Sequence, residues 1–168
     1  MNNIIIKNGL FGSIIVSALL VFVTMYMKAN PEKEVSMMIG FAVMILAFFF
    51  VAWGIKQQRD ANNGLITFGK AFLTGFWITL IISTIYVLVW LIILYNFFPN
   101  FAEHYTDMAI AKASPDELTK VTEEMNSFKE MYKNPIWVIL FTYMEILPLG
   151  IVFSLISAVI LKKKLIYL

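Results

Sequence analysis

At 168 residues the chain suits one domain, but 60% of its residues are hydrophobic and 14% are charged, with a mean hydropathy of +0.79. A soluble domain is nearer half apolar and a quarter charged. Cysteine is absent and the formal net charge is only +2, which excludes a disulfide framework, a thiol nucleophile and a cysteine metal site, and argues against nucleic acid as a partner.

The apolar excess lies in four blocks, 8–27, 35–55, 71–102 and 134–161; the first three contain no Asp, Glu, Lys or Arg, and the fourth contains only Glu145. Uncharged apolar runs of about 18 residues or more mark helices that cross a bilayer. The first span covers about 8–27. Its apolar run exceeds the roughly 7–15 residues of a signal peptide core, and Met27-Lys28-Ala29-Asn30 is no small-x-small cleavage site, so it reads as an anchor. Gly9, Ser13 and Ser17 recur every fourth residue, the spacing that lets two helices approach closely. Asn30 and Pro31 read as cap and first position of the second helix, with Glu32 and Glu34 in its acidic first turn. The second span covers about 35–55, and Trp53 sits at its end as an interface anchor.

Residues 56–70 form a polar connection with a turn signal at Asn62-Asn63-Gly64, and Thr67 is placed to cap the third span, 68–98. Within that span Ala71, Gly75, Thr79 and Ser83 form a second small-residue stripe. Residues 100–133 are the one long polar segment. Ser114-Pro115-Asp116-Glu117 combines a cap, a first-position proline and a capping-box glutamate. Leu118, Val121, Met125, Phe128 and Tyr132 then recur at steps of three and four, and Phe101, Tyr105 and Met108 give a weaker stripe before them. Two amphipathic helices are expected, their apolar faces on each other, on the membrane surface or on a partner. Asn134-Pro135 caps the fourth span, 135–161, where Trp137 anchors the interface, Gly150, Ser154 and Ala158 make a third small stripe, and Lys162, Lys163 and Lys164 end the span.

Lys and Arg set the orientation. The amino end, the 56–70 connection and the carboxyl end hold Lys7, Lys56, Arg59, Lys70, Lys162, Lys163 and Lys164, and the opposite side holds the other six of the 13. Both termini are therefore expected in the cytoplasm, with 100–133 outside.

Glu145 is the candidate functional site, three residues ahead of Pro148, which lacks an N–H for the Met144 carbonyl and predicts a kink or a freed acceptor there. A carboxylate at that depth must be protonated, partnered or in contact with water. Two readings stand open: a proton or cation site, or a structural hydrogen bond to Ser83, Thr79 or Ser17. His104, the single histidine, adjoins Glu103 and Asp107, but neighbouring positions point to different faces of a helix, so no metal site is expected. No nucleophile motif and no phosphate-binding loop is present, so neither catalytic residues nor a cofactor is expected.

Several stretches carry a family resemblance: Ile39-Gly40-Phe41-Ala42-Val43-Met44, Gly54-Ile55-Lys56 with Arg59-Asp60, Ile66-Thr67-Phe68-Gly69-Lys70-Ala71-Phe72, Phe98-Pro99-Asn100-Phe101, and Glu145 with Pro148-Leu149-Gly150. On these the chain resembles a family of small bacterial membrane proteins, domain of unknown function 4199. The resemblance implies a four-span protein of the bacterial inner membrane and supplies no activity, substrate or cofactor.

The expectation is thus all-α: an integral membrane four-helix bundle, one domain over 1–168, with an extracytoplasmic amphipathic hairpin between spans three and four. The expected partner is the lipid bilayer, with a homo-oligomer or a membrane protein partner as the further expectation. A non-enzymatic accessory or scaffold role ranks first. The alternative is a small oligomeric transporter or channel using Glu145.

Overall fold

The computed structural model describes residues 2–30 and 37–163. Its helices are α1 (Asn2–Ala29), α2 (Met37–Asp60), α3 (Phe68–Asn96), α4 (Phe101–Lys112), α5 (Leu118–Tyr132) and α6 (Pro135–Leu161). Helices α1, α2, α3 and α6 are long and apolar enough to cross a membrane. Only a helix or a closed barrel satisfies every backbone polar group without water, which is why such runs become helices. Among the described residues there is no strand; one antiparallel bridge joins Ile66 to Lys163 through two N–H···O bonds of 2.9 Å, tying the α2–α3 connection to the end of α6.

The ends show which signals act. Thr67 Oγ1 accepts from the Lys70 N–H at 3.4 Å, and Asn134 Oδ1 accepts from the Ile136 N–H at 3.0 Å with Pro135 in the first turn, as the cap signals required. Asn63 and Gly64 turn the chain with φ of 55° and 77°. Helix α1 begins at Asn2 rather than near residue 8, so Lys7 and Asn8 lie inside it, and α2 runs past residue 55 to Asp60. Helix α3 closes at Asn96, before the expected residue 98, with the Phe97 and Phe98 N–H groups both on the Ile93 carbonyl. The Ser114 capping box does not form: Ser114 Oγ bonds the Glu117 carboxylate at 2.7 Å instead of a backbone N–H, residues 115–117 make a turn, and α5 starts at Leu118. The expected Pro31 start with Glu32 and Glu34, the opening of the second span at residue 35, and Lys164 lie outside the described residues.

Helix α3 packs against α1, α2 and α6, and α2 also packs against α1 and α6. Helices α1 and α6 therefore flank the central pair and scarcely touch each other. The closest seam joins α3 to α6. A Cβ on Gly150 would collide with Thr79 Cγ2 and stand 2.6 Å from the Phe48 ring, and one on Gly75 would stand 3.0 Å from Ser154. Thr79 Oγ1 also donates to the Gly150 carbonyl at 3.2 Å and lies 3.1 Å from Ser154 Oγ. On α1, Gly9 faces Ile81 and Ser13 is buried with its hydroxyl on the Gly9 carbonyl. One apolar cluster gathers Phe48, Val51, Ile78, Ile82, Tyr86 and Ile146; a second gathers Trp90, Ile93, Leu94 and Val138 at the far ends of α3 and α6, and Leu20 packs against both.

Helices α4 and α5 pack on each other, and α5 also reaches α6. The α5 stripe faces α4 through ring pairs Tyr105–Phe128 at 5.4 Å and Phe101–Tyr132 at 5.8 Å, while Leu118 stays exposed. The Lys129–Glu103 ion pair across them, at 3.5 Å, is solvent-facing and adds little. Phe128→Asp should therefore open the pair and speed protease cleavage in the 113–117 turn, whereas Leu118→Asp should not; equal cleavage of the two variants would contradict this packing.

Candidate functional site

The join between the two apolar clusters is where packing fails. Because α1 and α6 flank α3 and scarcely touch each other, a cavity of about 190 Å³ remains between Leu20, Val23, Thr24 and Met27 of α1, Tyr86 and Trp90 of α3, and Thr142 and Glu145 of α6. Phe98, Phe101 of α4 and Tyr132 of α5 complete its walls. The rings interlock: Trp90 meets Phe101 edge-on at 4.8 Å, and Phe101 meets Phe98 at 5.7 Å and Tyr132 at 5.8 Å. Offset and edge-on contacts of this kind are the favourable ones.

Glu145 lies ten residues into α6, about 15 Å along its axis. Its side chain is exposed, facing the cavity, and forms no hydrogen bond or ion pair among the described residues. The second of the two readings, a hydrogen bond to Ser83, Thr79 or Ser17, is not seen among the described residues: Thr79 bonds Gly150 and Ser154, and the Ser17 and Ser83 hydroxyls are buried with no partner among those residues. Of the three states open to an acid at this depth, the described residues supply no partner, which leaves protonation or water within this chain. Two hydroxyls stand by in the cavity. Thr24 and Thr142 donate to the carbonyls of Leu20 and Val138, at 2.8 and 2.7 Å, and keep their oxygen lone pairs free to accept. Helix α6 continues through Pro148 without a break. The Met144 carbonyl still lacks the donor that any other residue at 148 would supply.

Tyr132 closes the site from α5 and also lines a second, shallower cleft with Asn100, Glu103, Lys129 and Lys133. Burial pushes the Tyr132 phenol up to about 12; the Glu145 charge and Tyr105 act in the same direction, and a hydrogen bond with Trp90 opposes them. The raised value favours the neutral phenol in the folded state. Its stabilising contribution is complete below the unfolded pKa of about 10 and is lost as pH rises through about 12. A difference titration of the protein against Tyr132→Phe should show one phenolate appearing near pH 12; its appearance near pH 10 would mean that Tyr132 is free in solvent.

Other expected residues fall elsewhere. His104 lies against Phe98 with ring centroids 5.8 Å apart, and among the described residues no three His, Asp or Glu side chains gather as a metal site would need. Trp53 and Trp137 are exposed, and Lys56 Nζ lies 4.9 Å over the Trp53 ring. The sequence reading missed Asn8, a buried amide on α1 that donates to the Gln57 side chain and to the Ile4 carbonyl, each at 2.8 Å. It also missed Gly12 and Gly54, where a Cβ would collide with Ile82 and Ile78.

The profile of a family described as "Protein of unknown function (DUF4199)" matches residues 7–163, nearly the whole chain. The chain belongs to that family. The match takes in all four long apolar helices and Glu145, so the DUF4199 assignment covers the cavity as well as the scaffold around it. No curated protein and no solved structure matches the chain.

Proposed function

We propose that this DUF4199 protein is an intramembrane binding protein for a monovalent cation, of the small-transporter type, with Glu145 as the site. The supporting observation is one carboxylate without a partner among the described residues, facing a cavity that also offers the Thr24 and Thr142 oxygens. A single negative charge in a low-dielectric setting attracts a single positive one, and small changes in water access alter its strength. The proposal includes a four-helix bundle in the bacterial inner membrane, both termini cytoplasmic, with α4 and α5 as an outer hairpin above the cavity. The site lies within one copy of the chain, so binding needs no second protomer, although a path across the membrane between protomers is compatible with it. No catalysis is invoked. The accessory or scaffold role has less support, because Phe128 and Tyr132 of the α5 stripe are half-buried against α4 and only Leu118 of that stripe stands exposed.

Access and orientation are testable together, since the chain has no cysteine. Glu145→Cys and Ser127→Cys should react with an impermeant thiol reagent on intact cells. Asn63→Cys should be protected, and so should Met144→Cys, which is 71% exposed but turned toward lipid in this reading. Protection of Glu145→Cys from both faces of the membrane would remove the aqueous route to the site, and labelling of Asn63→Cys with protection of Ser127→Cys would reverse the orientation.

A further inference from the structure

The walls of the Glu145 cavity discriminate between kinds of cation. A hard inorganic ion replaces its hydration shell with a set of oxygen ligands, about six or more for calcium. Here one carboxylate and four hydroxyls, two from threonines and two from tyrosines, fall short of such a set, and rings and alkyl chains make up most of the wall: Tyr86, Trp90, Phe101 and Tyr132 all border the space. The face of an aromatic ring is electron-rich and attracts a cation, tryptophan most strongly, and recognition of alkylated ammonium groups by such rings is the usual chemical use of that attraction. The cavity of about 190 Å³ holds about six waters at roughly 30 Å³ each. That is the size of a small alkylammonium ion rather than of a bare metal ion.

Resting on the cation-binding reading above, we infer that the ion taken at Glu145 is a small organic ammonium ion, its alkyl groups against Trp90, Tyr86, Phe101 and Tyr132 and its charge balanced by the Glu145 carboxylate. The rings supply what water otherwise gives an ammonium ion, and the carboxylate supplies what rings cannot, a full opposing charge. Trp90 is the specificity-determining residue because it borders the cavity and indole is the ring type that attracts a cation most strongly.

The test is calorimetric titration of the full-length protein in lipid nanodiscs with tetraethylammonium, sodium and potassium chlorides in turn. Tetraethylammonium should bind the unmodified protein and lose all measurable binding in Glu145→Gln. Trp90→Leu should weaken it about tenfold or more, and Trp90→Phe about threefold, the scale set by loss or weakening of one desolvated ring contact. Trp90→Phe keeps a ring against Phe101 and answers the question if Trp90→Leu does not fold. Glu145-dependent binding of sodium or potassium without any of tetraethylammonium would overturn the inference and leave the cation site standing. Tetraethylammonium binding indifferent to both Trp90 variants would overturn it as well. Absence of any Glu145-dependent cation binding would sink both.

Discussion

Gly150→Leu should prevent the chain from reaching its folded state in the membrane, read as loss of the monodisperse species on size-exclusion chromatography in mild detergent. A methyl group alone at position 150 already collides with Thr79 Cγ2 and comes within 2.6 Å of Phe48. Thr79 cannot rotate away without giving up its bonds to the Gly150 carbonyl and Ser154 Oγ, and Phe48 is fully buried. Helices in lipid gain no hydrophobic drive from meeting each other, so close contact along such a seam is their main attraction. Overpacking a core costs about 1–3 kcal/mol per modest insertion, and a leucine on a helix–helix contact drives the two axes apart along its length. Gly150→Ala should give a partial loss. Gly40→Leu and Gly69→Leu, where nothing lies within 4 Å, should be indistinguishable from the unmodified chain. A normal elution profile for Gly150→Leu would show that α3 and α6 do not meet at this seam.

Glu145→Leu should do the opposite to stability and remove cation binding altogether. Among the described residues the carboxylate has no partner to lose, so its replacement strands no donor and breaks no ion pair there. Insertion scales place a charged residue at the centre of a span at about 2.5–3.5 kcal/mol unfavourable, and leucine on the favourable side. Thermal unfolding of Glu145→Leu should therefore begin no earlier than that of the unmodified protein, while titration with a monovalent cation returns only dilution heat. A large fall in unfolding temperature would mean that Glu145 is structural. It would point to a partner in the membrane that the single chain does not reveal.

What could be read in advance follows from where the physics is local. The four apolar runs, the Thr67 and Asn134 caps and the Asn63-Gly64 turn each depend on a few consecutive residues; the caps and the turn appear where the sequence places them, and each run becomes a long helix, although α1, α2 and α3 end at residues other than those expected. The Gly75, Thr79, Gly150 and Ser154 positions were marked by period alone, and the structure sets them face to face across α3 and α6. The Ser114 cap misled because its hydroxyl donates to the Glu117 carboxylate, the group a capping box would turn back onto the Ser114 N–H, and α5 opens only at Leu118. Gly12 and Gly54 were overlooked because each stands outside a four-residue repeat, and Asn8 because a search for charges passes over a neutral amide. The cavity was the least legible feature. Glu145 stood out as a lone acid, but its aromatic neighbours come from α3, α4 and α5 and from the loop at Phe98, a gathering that no single stretch encodes.

The most direct test of the central claim is the unfolding temperature of the protein and of Glu145→Gln in lipid nanodiscs, measured with and without a monovalent cation. Sodium, potassium and tetraethylammonium are each raised well above their binding range, and ionic strength is held constant. A ligand that binds only the folded state at about 100 times its Kd adds about 2.7 kcal/mol of stability, which for a chain of this size raises the midpoint by about 5–10 °C. A rise of that order with at least one of the three cations, absent in Glu145→Gln, is the predicted result. Equal responses of the two proteins to every cation would contradict a binding site at Glu145.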